Sequence, residues 1–378
     1  MGLRLYHFAY PFARLNLLLS AQFQPFTLMS SSRPSRSANN TAPSAAARPS
    51  AGPADAARQP LLSICVPTYH RPQLLARALQ SIGPLPPDVE IIVSDNSTAN
   101  DDCEQVARAV LATQPGSQWR YYRNPPGGNV TSNWNCCLSR ASGHFVQMLH
   151  DDDYLLPGAL AHMLEALRTV RGQHEVVQFG VDVVDITGRV LKHQRPRQAR
   201  YLPPAAALEK VLTDSSYIRM PALVASRAAY YAVGGPDPTQ ENTDDTDVWA
   251  RLFSNYGLWQ VPGCVACYTV HAGALTAGMF NEHIIDLLLR IFHKADQTQL
   301  LSASRLRQAQ GLFFHQFILA GTYRSLRSRD FTSARRVLAL FELPALQHLA
   351  VPTRWLPLRL TFGLLSRIRL PKTAPMQN

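Results

Sequence analysis

"LLSICVPTY", residues 61 to 69, is a continuous apolar run that turns polar at its carboxyl end, in "PTYHR" (67–71). Such a run suits a parallel strand covered on both faces. Pro72 then opens a helix, since Leu74, Leu75, Ala78, Leu79 and Ile82 recur at helical spacing. The pattern repeats downstream. "VEIIVSDNS" (89–97) reads as a strand, a helix runs through Val106 and Val110, and "WRYYRN" (119–124) is a short strand. Val130 to Ala141 reads as a helix and "GHFVQML" (143–149) as a further strand. This alternation predicts a doubly wound α/β sheet, in which ligands bind beyond the carboxyl ends of the strands.

Three of those strand ends are polar: "PTYHR", "SDNS" (94–97) and "HDDD" (150–153). Adjacent carboxylates repel, so a site that gathers Asp151, Asp152 and Asp153 ordinarily supplies a cation. Oxygen ligands of this kind suit Mg²⁺ or Mn²⁺, whose shells are completed by substrate phosphates. Strand alternation would point Asp151 and Asp153 one way and Asp152 the other. A plainer alternative is that the aspartates cap backbone N–H groups ahead of "YLLPGAL". A second acidic cluster, "ENTDDTDVWARLF" (241–253), places Asp244 and Asp245 where a helix would begin. A carboxylate there either caps the helix or serves as a general base. Trp249 falls on the apolar face and reads as core.

Beyond these segments, "VVQFGVDVVDITG" (176–188) looks like a strand pair closing on a turn, and "MPALVAS" (220–226) and "VACYTVH" (265–271) add short strands. After about Asn281 the spacing becomes helical in "EHIIDLLLRIF", "GLFFHQFILAGTY" and "ARRVLALF". Four segments result. Residues 1–60, rich in Ser, Ala, Pro and Arg toward their end, read as disordered. Residues 61–280 form the α/β body, 281–350 a helical region, and 351–378 a basic amphipathic tail.

The net charge of +11 would suggest nucleic acid, but its distribution argues otherwise. Residues 1–60, 303–350 and 351–378 carry +5 each, leaving −4 on residues 61–302. A nucleic-acid binder would place a basic stripe on the folded body, and none is present. The tail pairs Trp, Leu and Phe with Arg, a composition suited to an anionic lipid surface, although two internal prolines weaken a continuous helix. No run reaches the ~18 apolar residues of a membrane span. "LNLLLSA" is too short and poorly flanked for a signal peptide, and Met29 is an alternative start. Six cysteines in apolar contexts fit buried reduced thiols in a cytosolic protein. "CVAC" (264–267) resembles half of a zinc site, but a second pair is missing, so it reads as strand.

"SICVPTYHR", "IIVSDNST", "LHDDDYLLPGAL", "GGPDP", "DDTDVWARL" and "YTVHAGALT" occur in the order and approximate spacing of family 2 glycosyltransferases with the GT-A fold. The resemblance covers roughly residues 61 to 276 and is to the non-processive bacterial type, since the processive members' Q-x-x-R-W element is absent. It implies a nucleotide-diphosphate sugar donor, a glycan or lipid-linked acceptor and inversion at the anomeric carbon. By the resemblance, Pro67, Thr68 and Tyr69 line the nucleotide pocket and Asp95 meets the base or ribose; Arg71, placed to reach the diphosphate or else a loop-surface residue, and Asn133, at the start of the helix from 130, are further donor-side candidates. Asp151 and Asp153 hold the cation with His271 nearby, and Asp152 lies close to the donor. Asp245 is the base, and Asp244 stands where Glu is usual. "HDDD" also aligns with the family's D-x-D as His150 and Asp152. "SDNS" replaces the commoner D-D-G-S and leaves Asp95 as its one acid. The expected location is cytoplasmic, on the inner face of the plasma membrane if the tail binds lipid. Rival readings are a sugar nucleotidyltransferase, whose Gly-rich phosphate loop is missing, and a non-catalytic nucleotide-sugar-binding protein.

Overall fold

The computed structural model describes residues 59–98, 101–116, 118–271, 278–349 and 351–367. The segment expected to be disordered, up to residue 58, and the tail beyond 367 lie outside the described residues.

The apolar run at the start of the body is strand β1 (Leu62–Thr68), every residue of which is buried. It lies between two parallel neighbours, β2 (Val89–Asp95) and β4 (Phe145–Met148), and β2 in turn pairs in parallel with β3 (Trp119–Arg123). Three helices make the crossovers: α1 (Pro72–Ile82), α2 (Cys103–Leu111) and α3 (Val130–Arg140). Helix α1 buries Leu75, Ala78, Leu79 and Ile82, the stripe its spacing predicted. Asn129 caps α3 by accepting the Ser132 N–H at 2.8 Å.

After β4 the chain turns through the aspartates into β5 (Tyr154–Leu155) and α4 (Ala159–Val170). The segment read as a strand pair is one unbroken strand, β6 (Val176–Asp185), and its antiparallel partner is β7 (Val190–Gln194), beyond a turn held by the Asp185 carboxylate. Valines at alternating and adjacent positions bury β6 on both faces, which is why no break appears within it. Then follow β8 (Arg200–Leu202), α5 (Pro204–Thr213), β9 (Leu223–Ser226), α6 (Arg227–Ala232), α7 (Asp244–Tyr256) and β10 (Leu258–Val270). The ten strands among the described residues form one mixed sheet of order β3-β2-β1-β4-β9-β6-β10-β5, with β7 on β6 and β8 on β10. Strand β10 is longer than the sequence pattern indicated, because it pairs with β6, β5 and β8 along its length.

Helices α8 (Glu282–Gln297), α9 (Ala303–Arg327), α10 (Phe331–Ala339), α11 (Pro344–Gln347) and α12 (Leu356–Ser366) follow among the described residues. Helix α8 packs on α7, and α9 on α5. The described helical extension thereby belongs to one compact unit with the sheet. Helix α12 buries Phe362 and follows the buried Trp355, while Leu356, Leu360 and Leu364 are exposed along its other side. Among the described residues, no helix is long and apolar enough to cross a membrane.

Candidate active site

The carboxyl ends of β1, β4 and β10 bring the first acidic cluster together. Thr68, the last residue of β1, donates from Oγ1 to Asp151 Oδ2 at 2.8 Å. Arg71, just before α1, reaches Asp151 Oδ1 at 3.4 Å and Asp152 Oδ2 at 3.1 Å. His271, immediately after β10, places Nε2 3.0 Å from the same Asp152 oxygen. Asp153 points instead into the sheet, where Oδ1 accepts the Thr269 backbone N–H at 2.9 Å.

The three carboxylates therefore differ in state. Burial pushes Asp151 up to about 6, and the charge of Asp152 adds to the shift. Burial raises Asp153 well above the carboxylate range, again reinforced by Asp152. For Asp152 burial acts in the same sense, but His150, His271 and Arg71 outweigh it and hold the group below its ordinary value. Asp152 is the member that stays ionised to the lowest pH, and Asp153 is the one that burial most favours in its protonated form. Asp151 and Asp153 are the expected cation ligands with His271 nearby; of the three aspartates it is Asp152 whose carboxylate meets His271, because the turn before β5 breaks simple strand alternation.

Residues around Asp152 fit a cation. One ligand atom each from His150, Asp152 and Asp153 lies within 4.8 Å of the other two. His150 Nε2 and Asp153 Oδ2 are buried and make no hydrogen bond. Each such unmet group costs about 1–3 kcal/mol, which a coordinated ion would relieve. The His150 ring is held by Trp134, with centroids 5.1 Å apart.

Sequence reasoning missed Arg77, on α1. Its guanidinium donates to the Asp152 backbone carbonyl and, at 3.3 Å, to Thr269 Oγ1, and lies 4.7 Å from the centre of the Tyr154 ring. A lone cation on a helix whose neighbours at 75, 78 and 79 are buried was the available signal.

The pocket side is assembled by β1 and β2. Pro67 is buried within β1, and Tyr69 beyond it is 58% exposed with its ring edge-on to His70. His70 adopts a left-handed φ of 53°, held by Ser97 Oγ on its N–H and by Asp101 on its ring, both at 2.8 Å. Asp95, expected to meet a base or ribose, is wholly buried: Oδ1 accepts the Ser97 N–H at 2.7 Å, and Oδ2 meets Tyr121 and Arg123. It acts as the anchor of the "SDNS" turn. Asn96, which sequence reasoning passed over, is the less buried neighbour, and its amide donates to the Asn129 carbonyl at 3.0 Å.

Helix α3 connects this ensemble to the second acidic cluster. Asn133 donates from Nδ2 to the Thr68 carbonyl at 3.1 Å, and Thr131, two residues earlier, donates from Oγ1 to Asp244 Oδ2 at 2.6 Å. Asp244 is buried, and burial together with the Asp245 charge pushes it up to about 7. Asp245 is only partly buried; burial raises it, opposed by the Thr246 N–H and hydroxyl and by Arg219. Asp247, one turn on, is neutralised by Arg251 and Lys294 and is structural. Trp249 is buried in the core, as read.

Residues 63–231 match the family model described as Glycosyl transferase family 2. An uncharacterised protein of Mycobacterium tuberculosis is 31% identical over 213 residues, 54% of this chain and 65% of its own. GalNAc(5)-diNAcBac-PP-undecaprenol beta-1,3-glucosyltransferase of Campylobacter jejuni is 37% identical over 110 residues, 28% of this chain and 34% of its own. The chain thus spans less than two thirds of the length of these curated relatives. Among solved structures, S. aureus TarS 1-349 in complex with UDP-GlcNAc aligns over 81% of this chain and 88% of that one, with TM-score 0.54 and 15% identity. That likeness is one of fold.

Proposed function

Through residues 63–231 the chain belongs to glycosyl transferase family 2, and from that premise we propose that it is an inverting, metal-dependent glycosyltransferase. It moves a sugar from a nucleotide-diphosphate donor to a hydroxyl of a glycan or lipid-linked acceptor in cell-surface polysaccharide synthesis. The observation that carries the reading is the continuous network Asp151–Thr68–Asn133, which continues through α3 to Thr131 and Asp244. It ties a cation-lined carboxylate cluster to a pair of carboxylates whose environment raises their proton affinity.

In this reading Tyr69, Arg71 and Asn96 border the donor, with Pro67 and Asn133 shaping the pocket from behind. Asp152 is the first ligand of a divalent cation, Mg²⁺ or Mn²⁺, with His150 and Asp153 behind it and His271 beside it. The ion, when bound, neutralises charge developing on the departing diphosphate. Asp245, the more open of the α7 pair, takes the acceptor's proton, and Asp244 positions it. The exposed Leu356, Leu360 and Leu364, near Arg354 and Arg367, support peripheral contact with a lipid surface and a lipid-linked acceptor.

A thermal-shift screen of nucleoside diphosphates with and without Mn²⁺ tests this. One diphosphate should raise Tm by several degrees only when metal is present. No stabilisation by any diphosphate would overturn the donor assignment.

A further inference from the structure

A second set of metal-type donors lies on the other arm of the sheet. Asp182 on β6, His193 on β7 and Cys264 on β10 each place one ligand atom within 4.8 Å of the other two. His193 Nδ1 is 2.7 Å from Asp182 Oδ1. Strand register explains the convergence. Asp182 stands directly opposite His193 on β7, and Cys264 stands opposite Gly180, two residues before Asp182. Residues two apart on a strand share a face, so three strands present carboxylate, imidazole and thiol on one side. The β10 ladder is irregular on both sides of Cys264, an arrangement that re-aims a side chain. At Gly180 a Cβ would collide with Arg195 and the Gly263 carbonyl, so only glycine lets the β7 end approach this closely.

We propose that Asp182, His193 and Cys264 bind one zinc ion that pins the β6–β7 hairpin to β10. Sulfur, nitrogen and oxygen donors in one set suit Zn²⁺, whereas Mg²⁺ and Mn²⁺ favour oxygen, so this site and the carboxylate crevice select different ions. Water completes the tetrahedron, and the His193 side chain, 60% exposed, opens a path for the ion from solvent. The "CVAC" segment lacked a second pair along the sequence because its partners come from other strands. Pinning β10 at Cys264 would also steady the strand that leads to His271.

Cobalt is the probe, because a thiolate ligand gives Co²⁺ a near-ultraviolet charge-transfer band that carboxylates alone do not. Full-length protein titrated with Co²⁺ should develop this band to one equivalent, and Zn²⁺ but not excess Mg²⁺ should abolish it. Cys264→Ser should remove the band, and Cys136→Ser should keep it. His193→Ala, at an exposed side chain, should weaken Co²⁺ binding at least tenfold and cancel the zinc-induced rise in Tm. A cobalt complex with no thiolate band, a band that survives Cys264→Ser, or unaltered affinity in His193→Ala would overturn the proposal.

Discussion

The aspartates at 151–153 and those at 244–245 are both crowded acidic clusters in which burial raises most members, yet Asp152 in the first and Asp244 in the second are driven to opposite ends. Around the first, Arg71 and Arg77 approach from the start and the first turns of α1 and His271 from the end of β10, and Asp152 is held ionised. Around the second, Asp244 has the neutral Thr131 hydroxyl and the N–H of Asp245 as hydrogen-bond partners, and burial lifts it to about 7. Desolvation favours the protonated carboxyl, while nearby positive charge favours the anion. One residue type can thus serve as an electrostatic seat in one place and a proton acceptor in another.

The hardest test of this contrast is Asp245→Asn. Removing a positioned base should lower transfer by about 10²–10⁴-fold, with metal-dependent nucleotide binding unchanged in calorimetry. Equal loss of binding would place Asp245 with the donor and erase the distinction. Next in size, His271→Ala should raise the metal concentration for half-maximal activity about 10–100-fold, because a group beside a ligating carboxylate tunes its hold on the ion. An unchanged metal titration would separate His271 from the cation.

The smallest effect sharpens the contrast through pH. Asp244 in the folded chain titrates near 7, above the ordinary carboxylate range, so the fold favours its protonated form. Its contribution to stability is complete at about pH 4 and is lost as pH rises through 7. Asp244→Asn, which cannot ionise, should therefore gain Tm relative to the parent protein between pH 5 and pH 8, by about 2–4 °C per kcal/mol gained. A difference in Tm that stays flat with pH would deny the shift. Asp151, lifted to about 6, should behave in the same sense with a smaller span.

Local pattern made several elements readable before any contact was known. Strand β1, helix α1 and the polar strand ends follow from apolar runs, the proline at 72 and side-chain periodicity, all of which act over a few residues. The crevice residues were legible as types at strand ends, but their orientations were not. Asp95 turned inward because Tyr121 and Arg123 on the neighbouring strand claim it. Arg77 and Thr131 were overlooked because their partners at Asp152, Thr269 and Asp244 are remote in sequence.

What the sequence determined by itself is the alternation of strands and helices, the acidic clusters and the helical character of the C-terminal region. Those features depend on hydrophobic periodicity and turn chemistry, which neighbouring residues set among themselves. Tertiary structure alone decided which aspartate meets His271, which carboxylate keeps its proton, and which strands complete the donor set at Cys264. Each of these depends on register and burial, and so on residues that folding brings together from distant parts of the chain.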